Sequence, residues 1–420
     1  MAQTLPLKEL AYINPPRGPI RLKDHDEVSF ISMGDVGVNG RWINQQTRNL
    51  KDVKRGYTYF EEGDILFAKI TPCMENGKGC HAVGLKNGIG FGTTEFHVLR
   101  ARDEADAGFI YQLTIDPAFR LRAEARMTGS AGQQRVPASF LEEYKVISFS
   151  KHQQQKIAEV LTKADDAIAR TEALIAKYER IRTGLMQDLL TKGIDEHGRI
   201  RSEATHTFKD SPLGRIPVEW EVITLAEVSA FLSRGKSPVY AAHSPFGVVN
   251  QACIFPDGLQ LDKVKYVKPE FWESLDSMYR LHPGDVVINS TGTGTLGRVG
   301  YYSGEPDVLT FDSHVTVIRV NPHRYEASYL FYEMQTPRIR RQIEAFCISG
   351  STNQIELSKN ALKAVEGAFP PYGEQRRIVE ILGIQAQRIN AERSYLEKLR
   401  RLKTGLMQDL LTGRVSVDAL

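Results

Sequence analysis

From Lys151 to Leu190 the chain contains no proline, and its only glycine is Gly184. Apolar residues fall at Ile157, Leu161, Ala164, Ile168, Ile175, Tyr178, Leu185 and Leu189, an alternating spacing of four and three interrupted by Thr171 and Arg182. The pattern returns at Ile378, Leu382, Ile389, Leu396, Leu399, Leu406 and Leu410, with Gln385, Glu392 and Lys403 interrupting. A seam of this period predicts a long helix, and about 40 helical residues span roughly 60 Å. Two seams of equal length in one chain predict that the helices pair with each other. If a two-fold axis relates them, they run antiparallel and hold globular blocks at the two ends of a rod. Gly184 and Gly405 sit inside the pattern at a cost of about 1 kcal/mol each relative to alanine, which suggests a kink, a break or the close approach of a partner backbone. Gly193 and Gly413 follow the last apolar residues, where helices end on glycine.

The remaining stretches mix short β-like runs with turns. Asp64–Ala68 and Asp285–Asn289 read as strands entered from a Gly-Asp turn. Helix-like stretches follow near Gly108–Arg126 and Ala327–Phe346, and then turns rich in Gly, Ser, Gln and Asn at residues 129–135 and 350–354. This predicts an α+β protein with two domains of one shared fold. The segment Asp195–Pro217 is polar, carries Pro212, Gly214 and Pro217, and reads as a linker.

The similarity between the halves is literal at one place. Thr-Gly-Leu-Met-Gln-Asp-Leu-Leu-Thr stands at Thr183–Thr191 and again at Thr404–Thr412, 221 positions on. The same offset relates Gln154 to Gln375, Gly63-Asp64 to Gly284-Asp285 and Gln133 to Gln354. A repeat at half the chain length indicates two copies of one large unit. The expected segments are a globular domain at 1–150, a long helix at 151–192, a linker at 193–217, a second domain at 218–371, a second helix at 372–413 and a tail at 414–420.

Composition changes this picture little. With 420 residues, 41% hydrophobic and 25% charged, the chain has the profile of a globular protein of two ordinary domains. No apolar run is long enough for a membrane span, and the first residues lack a signal-peptide core, so a cytoplasmic location is expected. The four cysteines are scattered, and Cys73 and Cys80 have a poor zinc spacing, so no metal site is expected. A net charge of +3 neither requires nor excludes nucleic acid, because basic residues can be concentrated on one face.

Catalytic motifs are decoys or missing. Gly292-Thr-Gly294-Thr-Leu-Gly297 matches a dinucleotide fingerprint, but β-like residues Arg298–Tyr302 follow where a helix N-terminus is required. Asn14-Pro15-Pro16 is followed by Arg17 instead of the aromatic residue of an amino-methyltransferase. There is no phosphate-binding P-loop, no His-Glu-x-x-His and no nuclease-like carboxylate cluster, so no catalytic residue is expected. His314 reads as a satisfied strand histidine. The polar loops are the better lead. They offer Lys69, Asn76 and Lys78 after one strand and Asn289, Ser290, Thr291, Thr293 and Arg298 after its counterpart. The later turns add Gln133, Gln134 and Arg135 in one half, and Ser351, Thr352, Asn353 and Gln354 in the other. Side chains of this kind on glycine-rich loops can approach phosphates and base edges.

Two variable domains alternate with two similar helices that open Gln153-Gln-Gln-Lys-Ile157 and Glu374-Gln-Arg-Arg-Ile378 and close on the shared nonapeptide. The connecting segment reads Phe208-Lys-Asp-Ser-Pro-Leu-Gly-Arg-Ile-Pro-x-x-Trp220. Over its whole length the chain resembles the DNA-specificity subunit of type I restriction–modification systems, although the first half lacks the Pro-Leu-Gly-x-Ile-Pro-x-x-Trp lead-in. The resemblance implies two target-recognition domains on double-stranded DNA, each reading half of a split sequence. It also implies two docked methyltransferase subunits that carry S-adenosylmethionine, nuclease/translocase subunits in the full complex, and no cofactor or catalysis in this chain. The docking residues would be Gly184, Leu185, Met186 and Gln187, and Gly405, Leu406, Met407 and Gln408. Two identical partners require two alike surfaces, whereas two different half-sites require two unlike domains. The competing reading is a coiled-coil scaffold whose globular ends bind proteins.

Overall fold

The computed structural model describes residues 3–38, 40–130, 132–255, 258–292, 294–350 and 355–417. Two compact units emerge. One runs to Leu174 and takes back the chain from Arg393 onward, and the other is Ile175–Glu392. Each unit therefore owns half of both long helices, Lys151–Thr191 and Tyr372–Leu410.

In the first unit a four-stranded antiparallel sheet has the order Ala11–Ile13, Phe96–Ala101, Ile65–Ala68, Gly79–His81. A second sheet runs Gln46–Asn49, Glu27–Ile31, Ile89–Gly92, Thr58–Glu61, with a parallel pairing between Glu27–Ile31 and Ile89–Gly92. The second unit repeats this plan. Its antiparallel sheet is Ser229–Arg234, Val315–Val320, Val286–Asn289, Val299–Tyr301. Its other sheet pairs Gly247–Val249 in parallel with Leu309–Phe311 and antiparallel with Lys265–Val267. The bridge Arg280↔Thr310 stands where Thr58–Glu61 pairs in the first unit. Both units close with a strand pair, Thr4–Pro6 with Lys145–Ile147 and Glu221–Thr224 with Glu366–Phe369. The expected shared α+β fold with an internal repeat is present.

The repeated Gly-Asp turns have a structural reason. Gly63 and Gly284 adopt φ +84° and +90°, which places the following aspartate beneath the sheet. Asp64 and Asp285 are buried and accept forked hydrogen bonds from Arg100 (2.9 and 2.8 Å) and Arg319 (2.7 and 2.8 Å). Gln154 and Gln375 form a second matched pair. Their side-chain oxygens accept from the backbone N–H of Asp106 (3.0 Å) and Glu326 (2.8 Å), and their amides donate to Phe149 O and Pro370 O. Each thereby ties the start of a long helix to its own domain.

The helix-like stretches differ from expectation in one respect. Each is two helices, Ala107–Ile115 with Pro117–Glu124, and Ala327–Glu333 with Pro337–Gln342. A proline at the first helical position lacks the N–H that would continue the earlier helix.

Most seam positions are buried, among them Ile157, Leu161, Ile168, Ile175 and Leu189 on one helix and Ile378, Leu382, Ile389, Leu396 and Leu410 on the other, while Tyr178, Leu185, Leu399 and Leu406 are half-buried. Within the first unit Lys403 meets Asp165 at 2.6 Å and Arg400 meets Glu172 at 3.0 Å, a register in which the two helices run antiparallel. Ile157 and Leu161 share a core there with Met407, Leu410 and Leu411. Within the second unit Leu189 and Leu190 share a core with Ile378 and Leu382, and Arg388 lies over the Tyr178 ring. Both helices continue unbroken through Gly184 and Gly405, so neither glycine is a break. Gly193 (φ +64°) and Gly413 (φ +66°) take the left-handed conformation expected of helix ends. The segment read as a linker is packed, not free. Ile194, Asp195, Arg201 and Ile216 are buried, and Arg201 forks onto Glu374 at 2.5 and 3.0 Å. Its polar letters are partnered locally, Asp195 accepting from the backbone of His197 and Arg199.

Candidate nucleic-acid interface

In the first unit the buried strand Ile65–Ala68 delivers Lys69 to the start of the predicted loop. The loop is stiffened from within by Met74 N–H to Ile70 O (2.9 Å), Asn76 N–H to Pro72 O (3.0 Å) and a side-chain bond from Thr71 to Glu75. From below, the buried Arg120 donates to Met74 O (2.6 Å) and Lys78 O (3.2 Å). Burial pushes the Arg120 guanidinium down to about 10, since no carboxylate accompanies it. The turn at 129–135 lies against this loop. Thr71 N–H donates to Gln134 O, Val136 N–H donates to Lys69 O, and Ile70 bridges Arg135. The structure thus joins two segments that the sequence offered separately.

Their side chains are not equally free to meet a ligand. Asn76, Gln133 and Gln134 are exposed and Lys69 is half-buried. The Lys78 ammonium donates to Met33 O at 2.7 Å. Arg135 forks onto Glu95 at 2.9 and 2.8 Å, and that guanidinium holds the Glu95 carboxyl below its ordinary value. Arg135 therefore meets DNA with its charge already partnered.

The second unit repeats the joint at the same offset. Thr291 bridges Glu356, and Leu357 N–H donates to Ser290 O. Two candidates are corrected here. Asn289 and Ser290 are fully buried, so they cannot reach a base edge. Asn289 donates to Gln251 O and Thr295 O, both at 3.2 Å, and the Ser290 hydroxyl bonds Thr316 at 2.6 Å, so both shape the loop from beneath. Thr291 is half-buried and bonds Gln251, and Arg298 donates to Gly294 O. Thr293, Ser351, Thr352, Asn353 and Gln354 lie outside the described residues. The fingerprint glycines lead into the strand Val299–Tyr301, where a dinucleotide site requires the N-terminus of a helix. His314 sits in the turn before the strand Val315–Val320, half exposed beside the buried Asp312, and so is not a strand residue.

Residues not singled out by sequence complete the surface. Arg122, Arg126 and Lys145 are exposed around a cavity of about 720 Å³ floored by Phe140 and Tyr144, and Met127 and Thr128 in its wall lead directly into the 129–135 turn. Glu143 lines the same cavity, so three cations and one carboxylate surround it. Only their spacing on the Pro117–Glu124 helix and just beyond it could have signalled this. Asn14 is used internally, its carbonyl accepting Val98 N–H at 3.0 Å. Among the described residues no group of three or more His, Cys, Asp or Glu could hold a metal ion, and no helix is long and apolar enough to cross a membrane.

The shared nonapeptides divide by burial. Met407 is buried in the first unit's core, and Leu406 packs against it. Leu185 and Met186 pack against the second unit's core. Of these four apolar candidates only Met407 is buried outright, whereas Leu185, Met186 and Leu406 are half-buried, with one side on a core and the other toward the surface. Gly184, Gln187, Gly405 and Gln408 remain exposed, and a methyl group added at either glycine would meet nothing within 4 Å.

The fold and its loops define a duplicated α+β protein that carries paired long helices and two polar loop surfaces. The family model for the type I restriction modification DNA specificity domain matches residues 217–399. The EcoEI specificity subunit of Escherichia coli is 26% identical over 464 aligned residues, covering 90% of this chain and 76% of that one. The EcoAI specificity subunit of Escherichia coli is 45% identical over 139 residues, covering 32% of this chain and 23% of that one. A crystal structure of a type I restriction–modification S subunit from M. genitalium shares the fold, with a TM-score of 0.58 at 15% identity over 97% of this chain and 96% of that one. The chain belongs to the specificity subunits of type I restriction–modification systems. Subunits of this family recognise DNA targets and are not themselves catalytic.

Proposed function

We propose that this chain reads a split, asymmetric DNA target, one half-site through each loop pair, and recruits two methyltransferase subunits through its long helices. The observation that carries this reading is the division between likeness and difference. The two units share topology, buried Asp–Arg pairs and helix ends, yet their exposed loops share almost no residues. A single repeated domain in a homodimer would read only a symmetric site. On this reading residues 1–150 and 218–371 supply the recognition domains, and 151–192 and 372–413 the spacer and docking helices. The exposed faces around Gly184 and Gln187, and Gly405 and Gln408, fit one partner met twice. S-adenosylmethionine belongs to those partners, and nuclease/translocase subunits complete the restriction complex.

The test is to map methylated adenines in a genome carrying this chain and its methyltransferase subunit. Two unlike half-sites at a fixed spacing are expected, and a palindromic or unsplit motif would refute the proposal. Because the chain's net charge is only +3, tight binding should also require the methyltransferase subunits. Salt titrations with and without them check this, and equal affinity and slope would contradict it.

A further inference from the structure

Phe346 is 76% exposed, more than any other large apolar residue among the described residues. It lies in a π-helical turn, Ile343–Cys347, that extends the helix Pro337–Gln342. The turn buries Ile343 and Cys347 and leaves Phe346 outward, and turns of this kind are frequent at functional sites. A lone exposed apolar side chain is commonplace on a protein surface. This one has neighbours that say what covers it. Upstream, Arg340 and Arg341 are both exposed, two cations against the single exposed carboxylate of Glu344 that stands between them and the ring. Downstream, Ile348–Ser349 pairs with Glu356–Leu357, and that hairpin is bonded to the polar loop through Thr291 and Ser290. An apolar ring flanked by cations and continuous with a polar loop suits a duplex, where phosphates border stacked bases. A protein partner would not require the two arginines.

We propose that Phe346 inserts against the bases of the half-site read by the second unit, unstacking one step, while Arg340 and Arg341 hold the adjoining phosphates. Inserted apolar side chains partly unstack base steps and kink the duplex. The first unit differs at the matching place. Counted from the helix-opening prolines, Pro117 and Pro337, Phe346 corresponds to the exposed Arg126. The first half-site therefore receives a phosphate contact there, and only the second is distorted. The inference rests on the DNA-reading function proposed above.

The experiment uses the full chain assembled with its methyltransferase subunits and a duplex carrying the mapped target. 2-Aminopurine is placed in turn at positions in and beside each half-site, away from the methylated adenines. Wild type and Phe346→Tyr should raise fluorescence at one step of the second half-site and none of the first. Phe346→Ala should lose that signal and bind the target about ten-fold or more weakly, the loss of one stacked base. Arg126→Ala should leave the signal in place and reduce the salt slope by about one. If wild type binds its target specifically but Phe346→Ala gives the same fluorescence and affinity, the inference is overturned. It is also overturned if Phe346→Ala fails to assemble with the methyltransferase subunits in sedimentation, because the ring would then be a protein contact. Absence of any target-specific binding by wild type would instead bring down the proposed function, and this inference with it.

Discussion

Replacing Leu410 with alanine tests whether the end of the second long helix is part of the first unit's core. Leu410 is 1% exposed and belongs to one apolar cluster with Ile157, Leu161, Phe109 and Leu141. A fully buried leucine truncated to alanine costs about 2–5 kcal/mol, made up of the lost transfer energy and the cavity left behind. At about 3 kcal/mol the local opening constant rises roughly a hundred-fold. Native-state hydrogen exchange should therefore show the strands Ile65–Ala68 and Phe96–Ala101 losing about two decades of protection, while Val286–Asn289 and Val315–Val320 keep theirs. Leu189→Ala, the matching change in the other nonapeptide, should reverse the pattern, because Leu189 is buried in the second unit's core. Gln408→Ala, at an exposed position on the same helix end, should leave both sets of strands unchanged. If Leu410→Ala leaves the first unit's strands at wild-type protection, or weakens only those of the second, the assignment of this helix end to the first core is wrong.

Three further outcomes are expected. Glu95→Gln should free Arg135 for phosphate and steepen the salt dependence of DNA binding by about one unit, read by anisotropy titration. Arg135 depresses the Glu95 carboxyl from its ordinary value of 4.5, so the pair is intact above that pH and is lost as pH falls through the lowered value, and wild type at low pH should approach the variant. Arg120→Met should leave Met74 O and Lys78 O without their donor, cost about 1–3 kcal/mol, and weaken recognition of the first half-site alone, as competition between half-site variants would show. A heptad inserted after Leu174 and another after Glu392 keep the seam in register, and on the proposed function should lengthen the gap between half-sites by about three base pairs without altering either sequence. Methylome mapping of the variant reads this directly, and changed half-sites would contradict it.

Periodicity carried the long helices, because a seam of seven is imposed by the geometry of two packed helices and is visible in one sequence. The strands after Gly63-Asp64 and Gly284-Asp285 were equally legible, since a positive φ requires glycine and an apolar run follows it. The breaks at Pro117 and Pro337 follow a rule as local as these and were within reach of the sequence. What stayed hidden depended on partners far along the chain. Asn289 and Ser290 look like loop residues, yet Gln251, 38 positions away, and Thr316, 26 away, enclose them. Arg120 looks like one basic residue of a surface helix, and only the fold brings it beneath a loop more than 40 positions earlier.

The nonapeptides illustrate the same limit and clarify the repeat. Identity between two copies was read as a mark of one external partner met twice. The structure divides that identity by side-chain direction. Leu189 and Leu410 plug matching cores, each within a unit whose sheets are encoded in the other half of the repeat. Either plug must therefore fit a core built by a different block, and two cores that accept one plug must be alike beneath their unlike loops. The buried Asp–Arg pairs and the Gln154 and Gln375 clamps are alike for the same reason. Selection for a common interior thus accounts for the apolar letters of the repeat before any partner is considered. The exposed residues of the repeat, Gly184, Gln187, Gly405 and Gln408 among them, are left for docking to explain, and substitutions at those four should lower methyltransferase binding without changing hydrogen exchange in either core.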